Sequence, residues 1–142
     1  MGSICGGPQH FIMPKPNTKP NKKKNLTQIT KGNIFVKSTF NNTLISVTDE
    51  NGNIINWASS GSSGFKGARK STPYAAQTAM TQLMEKIKNR GLSQVKVFVS
   101  GVGNGRDAAI RVLSNYHIDV SMIKDITPVP HNGCRPKKTR RV

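Results

Sequence analysis

The chain ends in TPVPHNGCRPKKTRRV, residues 127–142, where His131 and Cys134 stand three apart around Asn132 and Gly133. A thiol beside an imidazole can ligate zinc or attack a carbonyl. Zinc asks for four protein ligands, or three and a water. The remaining candidates, Cys5, His10 and His117, are scattered along the chain. A thiol nucleophile also needs its base oriented by a third group, and a proline-stiffened tail supplies none. The expectation is therefore no catalytic residue, no metal and no cofactor. What remains is an extended cationic strap, Arg135, Lys137, Lys138, Arg140 and Arg141, suited to threading between phosphates together with His131 and Asn132. Asn132-Gly133 also carries chemistry of its own. Glycine leaves the following N–H free to attack the side-chain amide, and the succinimide reopens mainly to isoaspartate. Asn132 is thus a candidate modification site, its new carboxylate placed to pair with Arg135.

Two glycine-rich stretches precede helical patterns. In SGFKGARKSTP, Gly64 and Gly67 allow the backbone to come close to a partner, and Lys66, Arg69 and Lys70 supply charge. Phe65 can stack or pack, and the helix beginning at Pro73 adds a positive dipole end; the plainer alternative is a solvated loop. SGVGNGRDAA places Gly101, Gly103 and Gly105 between a strand and a helix. A dinucleotide fingerprint has the spacing G-x-G-x-x-G with an acid closing the next strand; here the spacing is G-x-G-x-G. Arg106 in the first helical turn opposes the helix dipole unless an anion lies near. Both stretches are read as phosphate grips, made by backbone N–H groups and these cations. Trp57 reads as a core residue sooner than a stacking one.

The charge balance supports that reading. There are 22 Lys+Arg against 6 Asp+Glu, a net +16. No acid precedes Asp49 or follows Asp125. A field of one sign suits a polyanion. A membrane is excluded as partner: no apolar run reaches the roughly 18 residues of a spanning helix, and no basic amphipathic helix is written. No small-molecule substrate is implied. Two distant cysteines make no disulfide framework and fit a reducing compartment.

The elements that must hold these residues follow from periodicity. Residues 1–31, rich in Pro, Asn and Lys, predict a disordered basic leader. NIFVKSTF and TLISVTD alternate in period two around Asn41-Asn42, a pair that tolerates positive φ in a tight hairpin. ENGN gives a second Asn-Gly turn into IINWASS. PYAAQTAMTQLMEKIKNRG is a helix capped by Ser71 or Thr72 and ended by Gly91, with Ala76, Met80, Leu83 and Ile87 as its core stripe. SQVKVFVS, DAAIRVLSNY and DVSMIKDIT add a strand, a helix and a strand. The order βββαβαβ predicts one α/β domain over 32–127, a mixed five-stranded sheet with helices packed on it, and an extended tail over 128–142. That order also invites a ribonuclease-H-like enzyme, but two-metal chemistry needs converging carboxylates, and nothing in the spacing of the six acids shows them converging.

FNNT, GFKGARKSTPYAAQ, GNGRDAAIR and DITPVPHNGCRPKKTRRV together resemble the bacterial-type family of small-subunit ribosomal protein eleven, over residues 32–142. The resemblance implies a ribonuclease-H-like fold and a structural place on the small-subunit platform, bound to small-subunit rRNA near the messenger exit site. It implies neighbours among small-subunit proteins six, eighteen and seven. Carried onto this sequence, the rRNA contacts would be Lys37, Asn41, Asn42, Lys66, Arg69, Lys70, Ser71, Arg106, Arg111, His131, Asn132, Arg135, Lys137, Lys138, Arg140 and Arg141. This chain has GNG where the family usually has a proline-glycine pair, and it carries a long leader. An Asn- and Lys-rich composition suggests an AT-rich genome, placing the ribosome in a plastid first, and otherwise in a bacterium or mitochondrion. The alternative function is a free RNA- or DNA-binding module.

Overall fold

The structure, a computed structural model, describes residues 28–139. The leader as far as residue 27, together with Arg140, Arg141 and Val142, lies outside the described residues. The described part holds five strands and two α-helices: β1 (Lys31–Ser38), β2 (Thr43–Asp49), β3 (Ile54–Ser59), α1 (Pro73–Ile87), β4 (Gln94–Ser100), α2 (Gly105–Ser114) and β5 (Asp119–Asp125). The sheet runs β3-β2-β1-β4-β5. β1 is antiparallel to β2 and parallel to β4, and β5 is parallel to β4. The expected α/β fold with its mixed five-stranded sheet is the one observed.

The period-two pattern sends one side of each inner strand into the core. Ile34 and Val36 of β1, Ile45 and Val47 of β2, and Val95, Val97 and Val99 of β4 are buried. The helices cover that face. From α1 come Ala79, Met80, Leu83, Met84 and Ile87, and from α2 come Ala109, Val112 and Leu113, all in one cluster. Burying a side chain the size of Leu83 or Met80 contributes about 1.5–3 kcal/mol, so this cluster fixes both helices to a single face. Among the described residues, no helix covers the opposite face. Reading across it through the pairing register, one row runs Trp57, Ser46, Phe35, Phe98, Lys124. Trp57, read as core, is 58% exposed.

Local boundaries differ from the sequence pattern for traceable reasons. β1 starts at Lys31, two residues early, because the chain before it is already paired: Ile29 N–H donates to the Arg90 carbonyl at 2.9 Å, and the Thr30 carbonyl accepts from Ser93 and Gln94 N–H at 3.0 and 3.1 Å. The last residues of the expected leader therefore belong to the folded unit. The hairpin over Thr39–Asn42 does not use positive φ at either asparagine. Thr39 closes it instead, its N–H donating to the Asn42 carbonyl at 2.9 Å and its hydroxyl accepting from Asn42 N–H at 3.2 Å. α1 is capped by Thr72, whose Oγ1 accepts from Ala75 N–H at 3.3 Å, with Pro73 in its first turn. α1 stops at Ile87; a 3-10 turn over Lys88–Arg90 follows, and Gly91 turns the chain out at φ 74°.

Candidate nucleic-acid interface

The carboxyl ends of β1, β3, β4 and β5 meet at one edge of the sheet, and the N-termini of both helices open at the same edge. The contacts that bring them together run through glycine. A β-carbon on Gly105, the first residue of α2, would lie 2.9 Å from Ala76 Cβ in α1 and 3.2 Å from Ser38 Oγ. Beneath it the buried hydroxyls of Ser38 and Thr43 are 3.1 Å apart, a polar pair tying the end of β1 to the start of β2. Side chains on Gly101 or Gly103 would run into the Ser38–Thr39 backbone. The three glycines thus exist so that the β4–α2 loop can lie against the β1–β2 hairpin.

This changes the reading of that loop. Two of its N–H groups are spent within the protein: Gly103 donates to the Ser38 carbonyl at 3.1 Å and Gly101 to Thr127 Oγ1 at 3.1 Å. Arg106 is not a free cation either. Its guanidinium donates to the Gly101 carbonyl at 2.7 Å and pairs with Asp125 at the end of β5. The anion that the helix dipole requires beside Arg106 is present, and it is the protein's own. Asp125 also accepts from Thr127, at 2.9 Å from the N–H and 2.6 Å from the hydroxyl. Those Thr127 bonds, hydroxyl first, and then Arg106, hold the Asp125 carboxyl down at about 2. The clamp Arg106–Asp125–Thr127 fixes where the tail leaves the sheet.

The basic loop stands free of such commitments. Its entry is pinned by serine: Ser59 N–H donates to Ser62 Oγ at 2.9 Å and Ser62 N–H to Ser59 Oγ at 3.0 Å. Gly64 and Gly67 then take φ values of 94° and 57° with open space around them. Lys66 and Arg69 are exposed, and Lys70 and Ser71 are half-buried just before α1. Phe65 packs edge-on against Tyr74, ring centroids 5.9 Å apart. No salt bridge joins Lys66, Arg69 or Lys70 to an acid among the described residues.

The tail over 128–139 is exposed throughout. It bends at Asn132, whose φ is 53°, and a β-carbon on Gly133 would sit 3.0 Å from Pro130 Cβ. His131, Asn132, Arg135, Lys137 and Lys138 all lie on it; Arg140 and Arg141 are outside the described residues. Lys37, Asn41 and Asn42 belong to the β1–β2 hairpin at the same edge, although Asn42 Oδ1 is engaged by Thr43 N–H at 3.0 Å. Arg111 is elsewhere: it borders a shallow groove between the helices with Tyr74, Gln77, Thr78 and Asn115. The site acids do not gather. Asp49 and Asp119 face the starts of β1 and β4, opposite Gly32 and Gln94, whereas Asp125 closes the far end. No group of three or more His, Cys, Asp or Glu able to hold a metal occurs among the described residues. Sequence reasoning missed the positioning residues Ser38, Thr43 and Thr127, whose small polar side chains carry no signal until their partners are known.

The profile described as "Ribosomal protein S11" matches residues 32–141. "Small ribosomal subunit protein uS11" of Treponema pallidum (strain Nichols) is 53% identical over 121 residues, 85% of this chain and 96% of that one. "Small ribosomal subunit protein uS11c" of Chaetosphaeridium globosum is 46% identical over 130 residues, 92% of this chain and all of that one. "Small ribosomal subunit protein uS11" of Rippkaea orientalis is 47% identical over 130 residues, 92% of this chain and all of that one. With the profile spanning all of the sheet but Lys31, both glycine loops and nearly all of the tail, the chain belongs to the ribosomal protein S11 family.

Proposed function

We propose that this protein is a structural constituent of the small ribosomal subunit that grips small-subunit rRNA along the basic edge of its sheet. The observation that carries the reading is the convergence on that edge of the Lys66–Ser71 loop, the hairpin and the tail, where the Asp125 carboxylate is already neutralised by Arg106. Phosphate contacts fall to Lys66, Arg69, Lys70 and Ser71, to Lys37 and Asn41 on the hairpin, and to His131, Arg135, Lys137, Lys138, Arg140 and Arg141 along the tail. Arg106 serves by holding the loop rigid, and Arg111 meets the partner separately on the helical side. Contacts of this kind position a protein on RNA and read no sequence. Asn132, at the bend, is the site for isoaspartate formation.

The finer placement is part of the same proposal. The protein sits on the platform near the messenger exit site, beside proteins six, eighteen and seven, and its ribosome is a plastid one. Support for the plastid is the Asn- and Lys-rich composition. No catalysis is assigned; RNA cleavage by the pure protein that required divalent metal and vanished in Asp125→Asn would contradict this. Sucrose-gradient fractionation tests the main reading. Comigration with small subunits through a high-salt wash is expected, and a chain that stays at the top of the gradient, bound to free RNA or DNA, would refute it. Organelle fractionation with an antibody to the chain tests the plastid.

A further inference from the structure

The bare face of the sheet has a composition that folding does not explain. Phe35 and Phe98, neighbours on β1 and β4, stack with ring centroids 5.0 Å apart and planes 16° apart, and Phe35 remains 36% exposed. In the same row Trp57 is 58% exposed. One strand lies between Trp57 and Phe35, which sets those rings about 10 Å apart at ordinary strand spacing. Lysines surround them: Lys124 continues the row beyond Phe98, and Lys37 and Lys96 lie one pleat away on either side. Two carboxylates border this face at the end where β1 and β4 begin: Asp119, opposite Gln94, and Glu50, which lines a small cavity with Lys31, Asn33 and Lys96; neither forms a salt bridge with a lysine among the described residues. The basic edge already described lies at the strand ends and this is the broad face; Lys37, next to the end of β1, borders both.

We propose that this face is a second nucleic-acid surface, which takes unpaired RNA by stacking bases on Trp57 and on the Phe35–Phe98 pair. The proposal rests on the rRNA-binding reading and adds to it the kind of RNA bound. Charge complementarity selects the occupant. An apolar protein segment would match the rings and leave Lys37 and Lys124 without counter-charges, whereas a single strand satisfies both, its bases on the rings and its phosphates on the lysines. Duplex RNA keeps its bases inside and presents phosphates only, so it has no use for exposed aromatics.

Trp57 is the only tryptophan in the chain, which gives a direct readout on the full-length protein. Titration with a single-stranded oligouridylate is expected to quench Trp57 emission, and a duplex RNA of equal charge to leave it nearly unchanged. Trp57→Ala and Phe35→Leu should each weaken single-strand binding about tenfold, measured by anisotropy of labelled RNA, with duplex affinity unchanged. Phe35→Leu keeps an apolar side chain on the strand, and circular dichroism confirms the fold of both variants. Equal quenching by polyvinyl sulfate, or losses shared equally by duplex and single strand, would overturn the proposal, as would unchanged affinity in both variants; the last result would leave the face to a protein partner. Failure of the edge reading is distinguishable, because Lys66→Ala with Arg69→Ala and Lys70→Ala should lower duplex and single-strand affinity alike.

Discussion

Gly101 and Gly64 hold almost the same φ, 93° and 94°, in very different surroundings. A β-carbon on Gly64 meets nothing within 4 Å, whereas one on Gly101 falls inside the Ser38 carbonyl. Substituting alanine at each therefore separates backbone strain from close approach. Alanine at positive φ costs about 1–2 kcal/mol, offset by about 0.4–1 kcal/mol from the stiffer unfolded chain. Gly64→Ala should lose about 1 kcal/mol. Gly101→Ala carries the same strain and adds an overpacking cost of about 1–3 kcal/mol, because its obstacle is backbone in a paired strand and cannot rotate away. A total near 3 kcal/mol is expected. With a urea m-value of about 1.5 kcal/mol/M, the unfolding midpoints should fall by about 0.7 M for Gly64→Ala and about 2 M for Gly101→Ala. Equal midpoints in the two variants would show that the β4–α2 loop does not lie against Ser38, and the assembled edge would go with it.

Replacing Lys66, Arg69 and Lys70 together by alanine should flatten the log–log salt dependence of RNA binding by about 2 to 3, near 0.7–0.9 per phosphate contact; an unchanged slope would remove this loop from the interface. Asp125, held at about 2 against an ordinary 3.8, contributes stability that is complete above its unfolded value and is lost as pH falls from about 4 through about 2. Asp125→Asn should therefore flatten that part of the acid-unfolding profile, and a superimposable profile would contradict the clamp. A chain starting at residue 32 should be about 2 kcal/mol less stable than one starting at residue 28, since it lacks Ile29 and the Thr30 carbonyl that accepts from Ser93 and Gln94; matching urea midpoints would put the boundary where composition suggested. Removing residues 135–142 should abolish stable incorporation into small subunits, and electron-transfer peptide mapping should find isoaspartate at position 132; full incorporation counts against the first, unmodified asparagine against the second.

The amino-acid sequence carries the element order, because alternation in β1, β2 and β4 and the Ala76, Met80, Leu83, Ile87 stripe are local periodicities that no distant contact has to confirm. It also determined the charge asymmetry, and through Gly64, Gly67 and the tail motif it located two of the segments that form the basic edge. The remaining features depend on contacts between residues far apart in the chain. Arg106 reads as a free cation until Asp125, 19 residues on, is found beside it. Gly101, Gly103 and Gly105 read as a phosphate cradle until Ser38 and Thr43 are found beneath them. Trp57 reads as core because large aromatics usually are, yet its side of the sheet received no helix among the described residues: α1 and α2 both pack on the other face, and strand periodicity alone does not say which face will be covered.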